Sequence, residues 1–579
     1  MKQAACWKRT QGEKPSDKKY PPEVCKMILN IEPVQIERLF TYYQCVDDVI
    51  ATVCNYYGLE FKLMYAYTWN FIYKSKEDAK GLEFHERIDV SNVADRYQCL
   101  EACHGIKMNY HYSGDMDELF EIIKNELSNG RPAAIRYDSY YCPWDAWYNI
   151  GHTNHICLAI GMDESKDALH LIDPYNMVKD KTVTKEALAS GSGFCITFAV
   201  DPGKNRNRLW RPVLKNVLSG MFVNRGNTTA FDDMRAFAED FRIQFGLASH
   251  EENDKKRDLW RKLYPTLHYL IAGRALFLIN LKEIEEKENN PGFSSYMTSF
   301  RRMISKWTII VTSMKRVFNT MNRPDSADQI YSTDIDRVVE RIYNVLLEEA
   351  DYEESVATGL LDVIDSGNRK NNPVPGTPKK TGGLRGRVGY LPVKLEEHFN
   401  NKAFGSGKDA FTPNFTGYYD YFLIENIPED RTWVVDGVTY MFPAICTDKP
   451  DNVSCFGQNI ALPRVRCCSI RFLACAECGN YYETIKVKYE KGEELINFSI
   501  SDFVGKKLFE EKTVWSGRLG CTAEHQIKVV QNNAAIFEYS YALDNEHPIE
   551  GVTLPFCPNV HIFAISLGVI DMEEEEKTG

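Results

Sequence analysis

The chain has 579 residues, of which 44% are hydrophobic and 26% charged. That is the composition of a folded globular protein, and the length exceeds one ordinary core, so about three domains are expected. A net charge of −12 excludes a nucleic-acid binder whose affinity comes from neutralising phosphates.

The opening residues, Met1-Lys-Gln-Ala-Ala-Cys-Trp-Lys-Arg9, are polar and lack the apolar core of a signal peptide. No run of about 18 apolar residues is present, so no membrane span is expected. The seventeen cysteines are an odd number scattered along the chain. They read as mostly free thiols in a reducing, cytoplasmic setting.

In chain order, residues 1–203 mix helix and strand. Residues 45–58 predict a helix that begins at Cys45 and ends at Gly58, with Val46, Val49, Ile50, Val53 and Cys54 on its apolar face. Asp115 to Asn129 predicts a second helix, stopped by Gly130 and Pro132. Strands are expected at Ala133–Tyr137, Ile156–Ile160, Ala168–Ile172 and Phe194–Val200. Residues 204–365 carry apolar residues at helical spacing, as in Leu267–Ile279 and Val338–Leu347, and predict a bundle of helices. Residues 366–390 are rich in Gly, Pro, Lys and Arg and read as a basic linker or loop. Residues 391–571 alternate apolar and polar in short runs and predict a β-sandwich. The tail 572–579 is acidic and expected to be disordered.

The chemistry concentrates in the first domain. A cysteine at a helix N-terminus has its thiolate favoured by the helix dipole and by a nearby imidazolium. His155 stands at the mouth of an apolar strand, and Asp173 follows eighteen residues later at the end of the next one. Cysteine, histidine and acid supply a nucleophile, a base and a group that holds the base in the useful tautomer.

Cys45 through Tyr56-Tyr57-Gly58, the segment Gly130-Arg-Pro-Ala-Ala-Ile-Arg-Tyr-Asp138-Ser-Tyr-Tyr-Cys-Pro143, the later His152-Thr-Asn-His155 and the Asp173-Pro174 pair together resemble the C39 peptidase group. They are closer still to the butirosin biosynthesis protein H N-terminal family. The resemblance covers residues 35–360, most specifically 130–175. It implies a papain-like cysteine protease-type domain followed by helices, and with the bundle and the C-terminal β-sandwich read from periodicity the expected fold is multidomain α+β. It implies a cysteine-dependent acyltransferase of thiotemplated or nonribosomal antibiotic biosynthesis, with Cys45, His155 and Asp173 as the catalytic triad. The acyl group would arrive as a thioester on the phosphopantetheine arm of an acyl or peptidyl carrier protein, and an amine would accept it. No other cofactor and no metal is implied.

One departure concerns the oxyanion hole. C39 peptidases carry a glutamine six residues before the cysteine, where this chain has Leu39. Gln44 and the Cys45 backbone N–H are the candidates instead. Asp138, Tyr141 and His152 are candidates for the substrate pocket. Asp138 either orients an amine or caps a turn, His152 is a rival base, and the aromatic residues from Tyr140 to Tyr148 either line an acyl pocket or fill a core. His104 and His111 read as surface or structural. Cys475-Ala-Glu-Cys478 with Cys467 and Cys468 has one pair at zinc-ligand spacing and one adjacent pair, in strand-like sequence, and reads as core. Lys379, Lys380, Arg385 and Arg387 either dock an acidic carrier or are a solvated loop. Asp451–Pro463 and Val560–Leu567 look similar to galactose-binding-like sandwiches. The other readings are a cysteine peptidase or thioester hydrolase, and a carrier- or carbohydrate-binding protein with an inactive protease fold.

Overall fold

The computed structural model describes residues 28–571 apart from 40–43, 76–78, 205–208, 224–227, 247–249, 289–290, 321–334, 367–386 and short stretches between 407 and 545. Of the expected basic linker, residues 367–386 with Lys379, Lys380 and Arg385 lie outside the described residues, as does the expected acidic tail, whereas Ser366 ends a helix and Arg387 to Tyr390 are strand paired with 556–571 rather than linker. Contacts divide the chain into two units, one of residues 1–36, 44–59 and 105–202, the other of 37–43, 60–104 and 203–579. Residues 60–104, expected with the first domain, therefore group with the second. The bundle and the β-sandwich, expected as separate domains, form one unit.

The first unit is built on a six-stranded antiparallel sheet. Its order is 106–112, 194–200, 133–136, 156–163, 168–173, 178–184. The four expected strands are all present, and Ile106–Tyr112 and Val178–Thr184 are added as the two edges. Edge strands face solvent on more sides and carry fewer apolar residues; Val178–Thr184 buries only Val183. The Met116–Ser128 helix starts where Asp115 accepts a hydrogen bond from the Asp117 N–H. It buries Leu119, Phe120, Ile123 and Leu127 against Ile135, Cys157, Ala159, Leu169 and Leu171 of the sheet.

The Cys45–Tyr57 helix packs against the 156–163 strand. Its apolar face, Val46, Val49, Ile50, Val53 and Cys54, is buried as the periodicity requires. It ends at Gly58, whose φ of 66° is the left-handed value that a residue without a Cβ adopts at least cost.

In the second unit the helices Trp210–Phe222, Ala230–Phe245, His250–Glu288, Ser294–Thr320 and Ile335–Ser366 supply the bundle. Trp69 explains why residues 60–104 belong here. It is 1% exposed, stacks edge-on against Phe277 and Phe300, and donates its indole N–H to Glu353 at 2.6 Å. Trp307 donates to the same carboxylate at 2.8 Å, and Arg274 pairs with it at 2.8 Å. A fully buried carboxylate is tolerated because it is charge-paired and hydrogen-bonded.

Besides the two-stranded 432–435 and 438–441 pair, the described C-terminal region has two larger sheets. One runs 404–405, 420–423, 512–523, 526–542, 467–476, 556–571, 453–456, with 387–393 also paired to 556–571. The other runs 459–461, 549–553, 481–489, 493–500. In Tyr481–Tyr489 every second residue is buried, the alternation of a strand with one face on a core. One hydrophobic cluster takes residues from both sheets, among them Phe472, Phe563, Ile485 and Phe498.

Candidate active site

The segment before Cys45 is tied to the elements it meets. Leu29 N–H bonds the Ile160 carbonyl at 2.7 Å, Val34 N–H bonds Thr52 Oγ1 at 2.9 Å, and Ile36 N–H bonds Asp48 Oδ1 at 2.9 Å. Gln44 is extended, with φ −84° and ψ 131°, and Cys45 is the first helical residue. Gln44 makes no side-chain capping bond, while its carbonyl accepts from Asp47 N–H at 3.0 Å. Half-buried Cys45 thus sits at the positive end of the helix dipole, which favours an anion.

The Cys45 thiol points at the Asn154 carbonyl, 3.7 Å away, the residue before His155. His155 ends the loop that leads into the Ile156–Asp163 strand and is 4% exposed. Its Nε2–H donates to Asp173 Oδ2 at 2.7 Å. Leu158 pairs with Ile172 in the antiparallel register, which brings the start of one strand beside the end of the next. Burial works against a charged His155, but bonds to Asp173 and to the Cys45 thiol outweigh it and push its pKa up to about 11. With Nε2 taken by Asp173, Nδ1 is the nitrogen left for the thiol.

Asp173 is completely buried and heavily satisfied. Trp144 Nε1–H donates to it at 2.8 Å, Asn176 Nδ2 at 2.9 Å and the Asn176 backbone N–H at 3.1 Å. Burial opposes its ionisation, yet the His155 ring and the Asn176 bonds hold its carboxyl below the usual range. The Tyr175 ring meets His155 edge-on at 5.9 Å.

A second histidine–carboxylate pair lies beside the first. Asp138 caps the Ser139–Tyr141 turn, pairs with Arg136 Nη2 at 2.9 Å and contacts His152 Nδ1 at 3.3 Å. Burial raises the Asp138 carboxyl, but the Tyr140 N–H, His152 and Arg136 more than offset this and lower its pKa. His152 stacks on Tyr140 at 4.4 Å and meets Tyr141 edge-on at 5.8 Å. Arg136 also bonds the Asn154 side chain at 2.8 Å, which connects this pair to the loop under the thiol.

The residues Cys45, His155 and Asp173 therefore come together, with Gln44 adjacent in sequence and Asp138, Tyr141 and His152 as a linked neighbouring group. Both readings of Asp138 are compatible with its place, since it caps a turn and faces His152. Trp144, Asn176, Arg136 and Asn154 were missed as partners. The Asp173-Pro-Tyr-Asn176 spacing is the signal for one of them, because Asn three residues after Asp closes a turn on it. His104 is buried, and His111 bonds Thr197 Oγ1 at 2.9 Å. Cys467 and Cys475 lie eight residues apart on one strand, about 26 Å, too far to share an ion. No helix among the described residues is long and apolar enough to cross a membrane.

Residues 389–569 match the AziU2-like beta-sandwich domain family. The match covers the C-terminal β region and does not reach Cys45, His155 or Asp173. No curated protein matches the chain.

Proposed function

We propose that the protein is an amide-forming cysteine acyltransferase. The observation that carries this reading is the position of His155, bonded to buried Asp173 and next in sequence to Asn154, whose carbonyl lies 3.7 Å from the Cys45 thiol. A helix-start cysteine packed on an antiparallel sheet that presents histidine and acid is a papain-like arrangement, and it supports the C39 and butirosin-type resemblance. The AziU2-like match at the C-terminus is consistent with that family. Among individual proteins, the sequence resembles the protease-like amide synthetase of closthioamide assembly.

In the proposed reaction the Cys45 thiolate attacks the carbonyl of an acyl thioester on a carrier protein. A carbon–sulfur bond to Cys45 forms as the bond to the pantetheine sulfur breaks, and the departing thiolate takes a proton from the His155 imidazolium. An amine then attacks the acyl-Cys45 thioester. Its carbon–nitrogen bond forms, Cys45 leaves as thiolate, and His155 takes the proton from nitrogen. Asp173 keeps the imidazole oriented throughout. The Cys45 N–H and the Gln44 side chain are the proposed donors to the developing oxyanion. His152 and Asp138 are the groups for binding the acceptor amine.

The same residues would serve a thioester hydrolase or peptidase if water were the acceptor. Intact-protein mass after incubation with acyl-loaded carrier protein tests the proposal, wild type beside Cys45→Ala. The expected result is an acyl adduct on wild type alone, discharged by added amine to an amide. A free acid as sole product would support the hydrolase, and no adduct on either protein would sink the Cys45 mechanism.

A further inference from the structure

Cys142, Cys157 and Asp173 come from three places in the fold. Cys142 closes the Ser139–Tyr141 turn, Cys157 lies in the 156–163 strand, and Asp173 ends the 168–173 strand. The two sulfurs and a carboxylate oxygen all lie within 4.8 Å of one another. All three residues are completely buried. The proposed acyl transfer uses Asp173 but gives neither thiol a part.

We propose that Cys142, Cys157 and Asp173 bind one thiophilic divalent cation, of the zinc class, and that the bound ion draws Asp173 away from His155. The donor set decides the class. Two thiolates with one carboxylate suit zinc and exclude magnesium and calcium, which take oxygen ligands. Tetrahedral zinc with bonds of about 2.3 Å to sulfur sets its sulfurs roughly 3.8 Å apart. The observed cluster reaches that spacing by a contraction of about 1 Å at most, and a water fills the fourth position. Binding releases one proton from each thiol to solvent and changes no oxidation state. Because thiols bind the metal only after losing their protons, binding strengthens as pH rises.

Metal capture itself is independent of the proposed acyl transfer; only its consequence for Cys45 rests on that reading. The test is titration of the full chain with cobalt(II) as the probe, following thiolate-to-cobalt charge-transfer absorption, then displacement by zinc. Wild type and Cys45→Ala should each show the band with one equivalent bound at this site. Cys142→Ala and Cys157→Ala, made singly so that the fold is disturbed least, should each weaken binding by more than the roughly 10–100-fold that losing an outer-shell partner costs. Circular dichroism of each variant shows whether it has folded. Where one has not, Cys142→Ser and Cys157→Ser replace it. An unchanged band in folded variants of both cysteines would overturn the site, as would its loss in Cys45→Ala or its absence in wild type. A second readout is the alkylation of Cys45 by iodoacetamide. Zinc should slow it in wild type and not in Cys157→Ala, while equal slowing in both would overturn the coupling to His155.

Discussion

His155 Nε2 lies 2.7 Å from Asp173 Oδ2, and three further donors from Trp144 and Asn176 converge on the same carboxylate. In the metal-free protein an acid fixed from so many directions holds the imidazole in one orientation. Asp173→Asn should retain the bonds' geometry but favour the wrong tautomer. Acyl transfer should fall about a thousandfold or more. Single-turnover loss of carrier-bound acyl group measures this, and a rate within about threefold of wild type would remove Asp173 from the mechanism.

Trp144 acts through Asp173 and is a positioning residue. Trp144→Phe keeps most of the ring and loses one N–H. The loss of one hydrogen bond to a charged group, about 1.5 kcal/mol, predicts roughly a tenfold fall in kcat with KM little changed. Steady-state kinetics with acyl carrier protein checks it. A purely structural role would instead lower the melting temperature and leave kcat per folded molecule intact.

Glu349 predicts the pH dependence of stability. It is 1% exposed in the helical bundle, and its Oε2 lies 3.3 Å from Arg302 Nη1. Burial pushes its pKa up to about 8, Arg302 opposing and Glu353 adding to the rise. The folded protein therefore holds this proton more tightly than the unfolded chain, whose carboxyl titrates near 4.5. The unfolded state binds fewer protons between those values, so stability falls as pH rises from about 4.5 through about 8. Thermal melts on both sides of that window should show the decline in wild type and a flatter profile in Glu349→Gln. Equal slopes in the two proteins would contradict it.

Lys402 and Asp451 are a buried ion pair in the β region, 2.7 Å apart and 1% and 0% exposed. Asp451 also accepts from the Ala403 and Phe404 N–H groups at 2.7 and 3.1 Å. Lys402→Met leaves that carboxylate without its counter-charge and should cost about 3–5 kcal/mol. Adding Asp451→Asn should restore part of the loss, because the amide oxygen still accepts from the backbone. Urea unfolding of the three proteins measures both steps.

Local periodicity was enough for several elements. Val46, Val49, Ile50, Val53 and Cys54 mark the buried face of the Cys45 helix, and Gly58 marks its end, because a helix repeat and a left-handed cap are properties of a short segment. The Phe194–Val200 strand was legible for the same reason. Ile106–Tyr112 was not, since an edge strand carries mixed polarity and is stabilised by its one partner, the 194–200 strand, far away in sequence. Residues 60–104 were read with the wrong neighbours, because nothing local says that Trp69 will fill a core made by helices two hundred residues later.

The sequence by itself determined the order of cysteine, histidine and acid and the elements that carry them. Only the tertiary structure decided that Asp173 would bond His155, that Trp144 and Asn176 would share it, and that Cys142 and Cys157 would lie beside it. The physical reason is strand pairing. The register that sets Leu158 opposite Ile172 and Ile135 opposite Cys157 depends on which apolar faces meet across the sheet, and that is a property of the assembled core.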